Sequence, residues 1–247
     1  MQLTDRVYLV GSGDAGFSMT DPLDCHVYLI DGGEEMALID AGIGRSGVPL
    51  ILGNVRDEGL EPGRIKYLML THTHADHAGG ASRMRSHLGC QVLVSEDSSD
   101  FLRNGDEVAI NLHFGKEAGF YPQDYVFEAC EVDVDLSEGQ RIQVGDCELE
   151  VIDTPGHCAG HLAFLMEDGR QFYLFSGDTV FFGGKILLQN IHDCILQDYA
   201  RSVLRLSDLS TDVFLPGHGC ISLKGGQRHI DEAAQAFKRL GVPPNLL

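Results

Sequence analysis

The segment THTHADHAGG (71–80) concentrates side chains that bind metal ions. His72, His74, Asp76 and His77 fall within six residues, directly after the apolar run IKYLML. Imidazole nitrogens and carboxylate oxygens are ligands that Zn²⁺ and similar ions accept. Four candidates are too many for one tetrahedral ion that also needs distant ligands and an open position. The spacing therefore predicts a site for two metal ions.

Further candidate ligands stand in turns that follow apolar strands later in the chain. His157 follows CELEVID, Asp178 follows FYLFS and His218 follows VFLP. Because functional side chains of α/β proteins gather at the carboxyl ends of strands, we expect these turns to converge on one edge of the sheets. A lone histidine is more often a surface or core residue than a ligand. We therefore interpret the following histidines as surface or core residues and not as ligands: His26, His87, His113, His161, His192 and His229.

The elements that must position these residues form a mixed α/β pattern. We predict strands at residues 6–10, 25–31, 36–40, 65–70, 91–94, 141–144, 147–153, 161–166, 172–176 and 213–216. The predicted helices are residues 48–60, 78–89, 198–209 and 226–240. No linker separates the two similar halves, so the sequence predicts one domain, residues 1–247, with stacked sheets. Gly and Pro breaks in residues 97–128 favour an inserted lid or pocket wall.

Composition narrows the function classes. The chain has 18 basic and 37 acidic side chains, a net charge of −19, which argues against a nucleic-acid partner. It contains no run of 18 apolar residues and no visible secretory signal, so we expect neither a membrane partner nor export. Seven cysteines without a Cys-x-x-Cys pair favour free thiols in the cytoplasm. A small-molecule substrate is the expected partner, and the oligomeric state stays open.

The motifs THTHADHAGG, TPGHCAGH, SGDT and LPGHG, in this order, resemble the successive motifs of the metallo-β-lactamase-fold hydrolases. The resemblance implies a four-layer αββα sandwich with two divalent metal ions at one edge, zinc first and iron or manganese as alternatives. The implied ligands of metal one are His72, His74 and His157, and those of metal two are Asp76, His77 and His218. Asp178 would bridge the two ions. Asp40 of LIDAG resembles the aspartate that lies behind the site and orients it.

This resemblance, together with metal chemistry, predicts hydrolysis of a carbonyl ester. A water shared by two cations deprotonates near neutral pH, and Asp76 can then shuttle a proton. A bridging Asp178 resembles thioesterase and lactonase members, whereas the zinc β-lactamases carry Cys or Ser there. SGDTVFFGG resembles a segment of glyoxalase II, while Phe181 stands where lactonases often have Tyr. The expected substrate is a small thioester or lactone.

The walls of the substrate pocket are predicted in residues 101–127 and 180–192, where aromatic side chains are frequent. The residues selected are Phe114, Tyr121, Tyr125, Phe181 and Lys185, and an ordinary core role is the alternative for the aromatic ones. Three other functions stay open: a mononuclear iron oxygenase of the same fold, a β-lactamase or phosphodiesterase, and a metal-binding sensor without turnover.

Overall fold

The structure, a computed structural model, describes residues 1–169 and 171–246. It contains two β-sheets and several helices, which confirms the predicted mixed α/β class. Residue contacts divide the chain into two compact units, which are described separately. The first unit comprises residues 1–136 and 144–146, and the second comprises residues 137–143 and those from 147 onward. One domain spanning residues 1–247 stays a prediction.

The first sheet has six strands in sequential order. They are β1 (Val7–Gly11), β2 (Val27–Asp31), β3 (Met36–Ile39), β4 (Ile65–Met69), β5 (Gln91–Ser95) and β6 (Val134–Leu136). β1, β2 and β3 pair antiparallel, whereas β3 to β6 run parallel. Parallel strands end at the same edge of a sheet. The ends of β3 and β4 therefore bring the segments after Ile39 and Met69 close together.

The helices of the first unit cover this sheet with apolar faces. They are α1 (Gly47–Asp57), α2 (Ala75–Ala78), α3 (Ala81–Leu88), α4 (Ser99–Asn104) and α5 (Leu112–Glu117), with a 3-10 turn at Pro62–Arg64. In α1, Val48, Ile51, Leu52 and Val55 repeat at helical spacing and are all buried in the core of this unit. Burial of this stripe, more than intrinsic propensity, stabilises the helix.

The second sheet has the strand order β11-β10-β9-β8-β7. The strands are β7 (Arg141–Val144), β8 (Cys147–Asp153), β9 (Leu162–Asp168), β10 (Gln171–Gly177) and β11 (Val213–Pro216). β8, β9 and β10 pair antiparallel, and β11 runs parallel to β10. Helices α6 (Leu196–Leu206) and α7 (Gln227–Lys238) pack against a core that contains Tyr199, Val203 and Ile230.

Two regions differ from the sequence-based prediction. The single helix expected at 78–89 is divided between α2 and α3, because the chain turns at Gly79 and Gly80. Strand β6 was not predicted, since it has three residues and an exposed aspartate at its centre. Within 97–128, Leu102, Leu112 and Phe127 belong to the core of the first unit. That this segment acts as a lid stays a prediction. Among the described residues, none of the helices has the length and apolar character needed to span a membrane.

Candidate metal centre

The first set of candidate ligands lies where β4 leads into α2. His72 and His77 are fully buried, whereas His74 and Asp76 are partly exposed. The His72 Nε2 atom lies 3.1 Å from the His74 Nδ1 atom. Two nitrogens bound to one tetrahedral zinc ion, each at about 2.05 Å, lie roughly 3.3 Å apart. The two imidazoles therefore have the separation that ligands of one ion require.

Asp40 supports this set from the end of β3. Its carboxylate is buried, and Oδ1 accepts a hydrogen bond from the Thr71 backbone N–H at 2.8 Å. The Oδ2 atom lies 2.8 Å from Nδ1 of His77. This contact assigns the ring proton of His77 to Nδ1 and leaves Nε2 as the atom that can bind a metal. Asp40 has a φ of 64°, a conformation that aspartate tolerates better than most residues.

A second buried carboxylate holds the loop that follows Asp40. The Asp24 Oδ1 atom accepts from the Ile43 N–H at 2.8 Å, and its Oδ2 atom accepts from the Asp21 N–H at 3.1 Å. Burial raises the pKa of Asp24 from 3.8 to about 6, although hydrogen bonds from Thr20 and Ile43 oppose the shift. The polar support of the first ligand set thus includes two desolvated carboxylates.

Asp76 has different neighbours at its two carboxylate oxygens. The Oδ2 atom lies 3.7 Å from Nε2 of His77. The Oδ1 atom accepts a 2.8 Å hydrogen bond from the Tyr121 hydroxyl. Burial, followed by the charge of Asp76, raises the pKa of Tyr121 well above its usual value. The phenol is therefore a hydrogen-bond donor at neutral pH.

The backbone around these ligands is closely packed. A Cβ atom at Gly80 would collide with the carbonyl oxygen of Ala41, and one at Gly79 would collide with the hydroxyl of Tyr125. The Ala41 N–H also donates to the carbonyl oxygen of His77 at 2.7 Å. Only glycine permits the turn between α2 and α3 to lie this close to the loop after Asp40.

The second set of candidate ligands lies in the second unit, at the ends of three strands. His157 follows β8, Asp178 follows β10 and His218 follows β11, and all three are buried. The Asp178 Oδ2 atom lies 3.7 Å from Nε2 of His157 and 3.6 Å from Nε2 of His218. One carboxylate oxygen is thus close to both imidazoles. This arrangement suits a carboxylate that binds a metal ion together with imidazole ligands.

Neutral groups orient the second set. The His157 Nδ1 atom lies 3.2 Å from the Leu187 carbonyl oxygen, so its Nε2 atom is left for a metal. The Asp178 N–H donates to Nε2 of His161 at 2.9 Å. The Tyr199 hydroxyl donates to the Asp178 carbonyl oxygen, and burial raises the pKa of this phenol well above its usual value.

The proposed pocket residues lie in varied surroundings. Tyr121 contacts Asp76, whereas Tyr125 is buried and donates to the Ile43 carbonyl oxygen at 2.9 Å. Phe114 in α5 is 45% exposed, and Phe181 is 1% exposed. The carbonyl oxygen of Lys185 accepts from the Phe181 N–H at 2.8 Å. A substrate pocket lined by these five residues stays a prediction.

Sequence reasoning did not single out several residues that support the ligands. Thr71 contacts Asp40, while His161 and Tyr199 contact the backbone of Asp178. His161 was interpreted as a surface or core histidine; it is buried, and its bond to the Asp178 N–H has no signature in the sequence. For Thr71, its position directly before His72 was the one sequence feature that could have indicated a supporting role.

Comparison with known families matches most of the chain to one family model. A family model described as the metallo-beta-lactamase superfamily matches residues 20–218. The chain belongs to this superfamily. All seven candidate ligands lie within the matched residues. The resemblance inferred from the four sequence motifs is therefore confirmed.

Curated relatives within the superfamily are distant. The lactamase-like protein adaB of Aspergillus niger is 26% identical over 88% of this chain and 56% of its own length. The acyl-coenzyme A thioesterase MBLAC2 of Bos taurus is 26% identical over 88% of this chain and 80% of that protein. The hydroxyacylglutathione hydrolase GloC of Haemophilus influenzae is 24% identical over 66% of this chain and 73% of that protein. The chain spans a little over half the length of the fungal relative.

Solved structures of the superfamily show the same fold. The FEZ-1 metallo-β-lactamase from Legionella gormanii has a TM-score of 0.74 and 22% identity, with 97% of this chain and 94% of that chain covered. At this identity the likeness establishes the fold alone. It confirms the metallo-β-lactamase type of fold that the sequence motifs predicted.

Proposed function

We propose that this protein is a metal-dependent hydrolase that cleaves a carbonyl ester of a small molecule, with a thioester as its preferred substrate. The observation that carries the proposal is the orientation of the ligands. In each unit, hydrogen bonds at Nδ1 leave the Nε2 atom of a histidine for a metal, as seen for His77 and His157. The relatives named as thioesterase and hydroxyacylglutathione hydrolase support the choice of bond.

We infer that the two ligand sets jointly hold two divalent ions, with zinc as the first choice. The donors fit such ions, because five imidazoles and two carboxylates are ligands that zinc, iron and manganese accept. The seven residues are His72, His74, Asp76, His77, His157, Asp178 and His218. When bound, the ions would supply an activated water and a Lewis acid for the acyl carbonyl.

The residues of the chain would divide the remaining work. Water adds to the acyl carbon, the carbon–sulfur bond breaks, and the thiol leaves with a proton. The carboxylate of Asp76 would receive the proton from the attacking water and pass it to the leaving sulfur. Asp40 would keep the ring of His77 in one tautomer throughout, because its Oδ2 atom lies 2.8 Å from Nδ1.

Two observations favour a thioester over the other bonds considered. By the family resemblance of the motif SGDT, Asp178 stands at the place where the zinc β-lactamases carry Cys or Ser. Phe181 is buried and has no hydroxyl, so the residue three positions after Asp178 offers no hydrogen bond to a lactone carbonyl. The net charge of −19 also disfavours polynucleotide substrates.

The test combines metal analysis and turnover on one preparation. Metal content per chain is measured by elemental mass spectrometry, and hydrolysis is measured with acyl-coenzyme A, acyl-glutathione and acyl-homoserine lactone substrates. We expect about two zinc, manganese or iron ions per chain and fastest turnover of a thioester. One iron ion with oxygen uptake and no hydrolysis would instead establish the oxygenase, and full metal loading without any turnover would favour the sensor.

A further inference from the structure

We propose that Tyr121 is a positioning residue for Asp76, which determines which carboxylate oxygen is offered to a metal ion. The proposal rests on the proposed metal centre and goes beyond its ligand list. Tyr121 was selected from the sequence as a pocket residue, and its contact with Asp76 gives it a different role.

The two oxygens of Asp76 face different groups. The Tyr121 hydroxyl lies 2.8 Å from Oδ1, whereas Oδ2 lies 3.7 Å from Nε2 of His77. The Nε2 atom of His77 is itself the proposed metal ligand. A hydrogen bond at Oδ1 therefore turns Oδ2 toward the same ion as His77 and makes Asp76 a ligand through one oxygen.

The ring of Tyr121 is held independently of Asp76. A Cβ atom at Gly115 would lie 2.5 Å from Cδ2 of Tyr121 and 2.7 Å from Cε2, so the ring lies directly against the backbone of α5. On another side, the ring stacks on Tyr125 with 6.1 Å between the centroids and 26° between the planes. Because its position is set by these contacts, the hydroxyl can orient the carboxylate rather than follow it.

Packing alone does not account for a tyrosine at this position. The preceding residue, Phe120, is 62% exposed, while Tyr121 is partly buried against the core of this unit and its hydroxyl bonds a carboxylate. A phenylalanine would fill the same space against Gly115 and Tyr125. The hydroxyl is the group that the geometry requires.

The test is metal titration of the Tyr121→Phe variant, prepared as full-length apoprotein. With zinc and a competing chelator, we expect the second binding step to weaken by roughly 10–100-fold, as for the loss of other hydrogen bonds to metal ligands. The first step, assigned to His72, His74 and His157, should be unchanged. Tyr173→Phe is the matched control, because it removes a phenol hydroxyl that bonds the Gln171 side chain at the start of β10. We expect this control to titrate like the natural protein.

Two further variants separate positioning from general loss of structure. Gly115→Ala would displace the ring without removing the hydroxyl, and we expect it to weaken the second step as Tyr121→Phe does. In an Asp76→Ala background, Tyr121→Phe should have no additional effect on metal binding. An unchanged second step in Tyr121→Phe, an equal effect of Tyr173→Phe, or an effect that persists without Asp76 would each overturn the proposal. If the natural protein binds no second ion, the proposed centre itself fails, which is a distinguishable result.

Discussion

The two ligand sets differ in how the chain builds them. The first unit supplies four candidate ligands from six consecutive residues, 72–77, and supports them with the buried carboxylates of Asp40 and Asp24. The second unit supplies His157, Asp178 and His218 from three separate strand ends and supports them with neutral groups. The first set is therefore compact and oriented by charge, whereas the second is dispersed and oriented by backbone and hydroxyl groups.

This difference has an energetic consequence. Burial raises the pKa of Asp24, so the contribution of this carboxylate to stability depends on pH. A carbonyl, a neutral imidazole acceptor or a phenol imposes no such dependence near neutral pH. We expect the first set to respond to changes of charge and the second to respond to loss of individual hydrogen bonds.

The largest effect is expected when one ligand of each set is removed. His74→Ala combined with Asp178→Ala should abolish metal retention and lower turnover by roughly 1,000-fold or more, since the metal supplies several kcal/mol of transition-state stabilisation. Metal content after dialysis and the rate of thioester hydrolysis measure this. The control is His87→Ala, which removes an exposed imidazole that bonds the Arg83 carbonyl. If the double variant retained its metal, both ligand assignments would be wrong.

The next effect concerns Asp24 and the pH dependence of stability. Since the pKa of Asp24 is raised from 3.8 to about 6, the folded state binds a proton before the unfolded state as pH falls. The contribution of this group to the free energy of unfolding should therefore rise from pH 7 to pH 4, by at most about 3 kcal/mol. The measurement is denaturant unfolding of the natural protein and of Asp24→Asn at pH 7 and at pH 4. The difference in the free energy of unfolding between the two proteins is then compared at the two pH values. If this difference were the same at both pH values, the support of the first ligand set would not depend on the charge of Asp24.

Asp40→Asn tests the charge behind His77 without disturbing the backbone. Asparagine tolerates the φ of 64° that Asp40 adopts, so the loop should persist. We expect metal affinity to fall by roughly 10–100-fold, because the partner of the His77 Nδ1 proton loses its charge. Asp40→Ala should lose a further amount of folding stability through backbone strain. Equal metal affinity in Asp40→Asn and the natural protein would show that the charge is dispensable.

The smallest effect is expected from a hydroxyl in the second unit. Tyr199→Phe removes the bond to the Asp178 carbonyl and the acceptor of the Leu187 N–H. We expect a loss of about 1–2 kcal/mol in the free energy of unfolding, the same at pH 4 and pH 7. Tyr173→Phe, which removes a bond to the Gln171 side chain, serves as the comparison and should cost less. A marked pH dependence in Tyr199→Phe would contradict the neutral character of this set.

The same difference determines what the sequence could predict. Residues 72–77 were identifiable as a candidate metal site because four potential ligands, three histidines and one aspartate, in one short stretch have no common structural explanation. The turns after β8, β10 and β11 were identifiable as candidates because each follows an apolar strand, and the order of the motifs then supported the family resemblance. Tyr121 was selected only as a pocket residue and His161 only as a surface or core histidine, because their contacts with Asp76 and Asp178 depend on the tertiary structure. The division between α2 and α3 was missed, since the close approach of Gly80 to Ala41 is a tertiary feature.

The contact of Gly80 with the carbonyl of Ala41 has a consequence for protein engineering. The ligand stretch 72–77 looks portable, as a hexapeptide that could be grafted onto another strand–helix junction. Transplanted alone, it would lose the loop that orients His77. A functional graft must carry two chain segments, the one from Asp40 to Ile43 and the one from Thr71 to Gly80, on adjacent parallel strands in the register observed here. Randomised libraries should leave both glycines of the second segment unchanged.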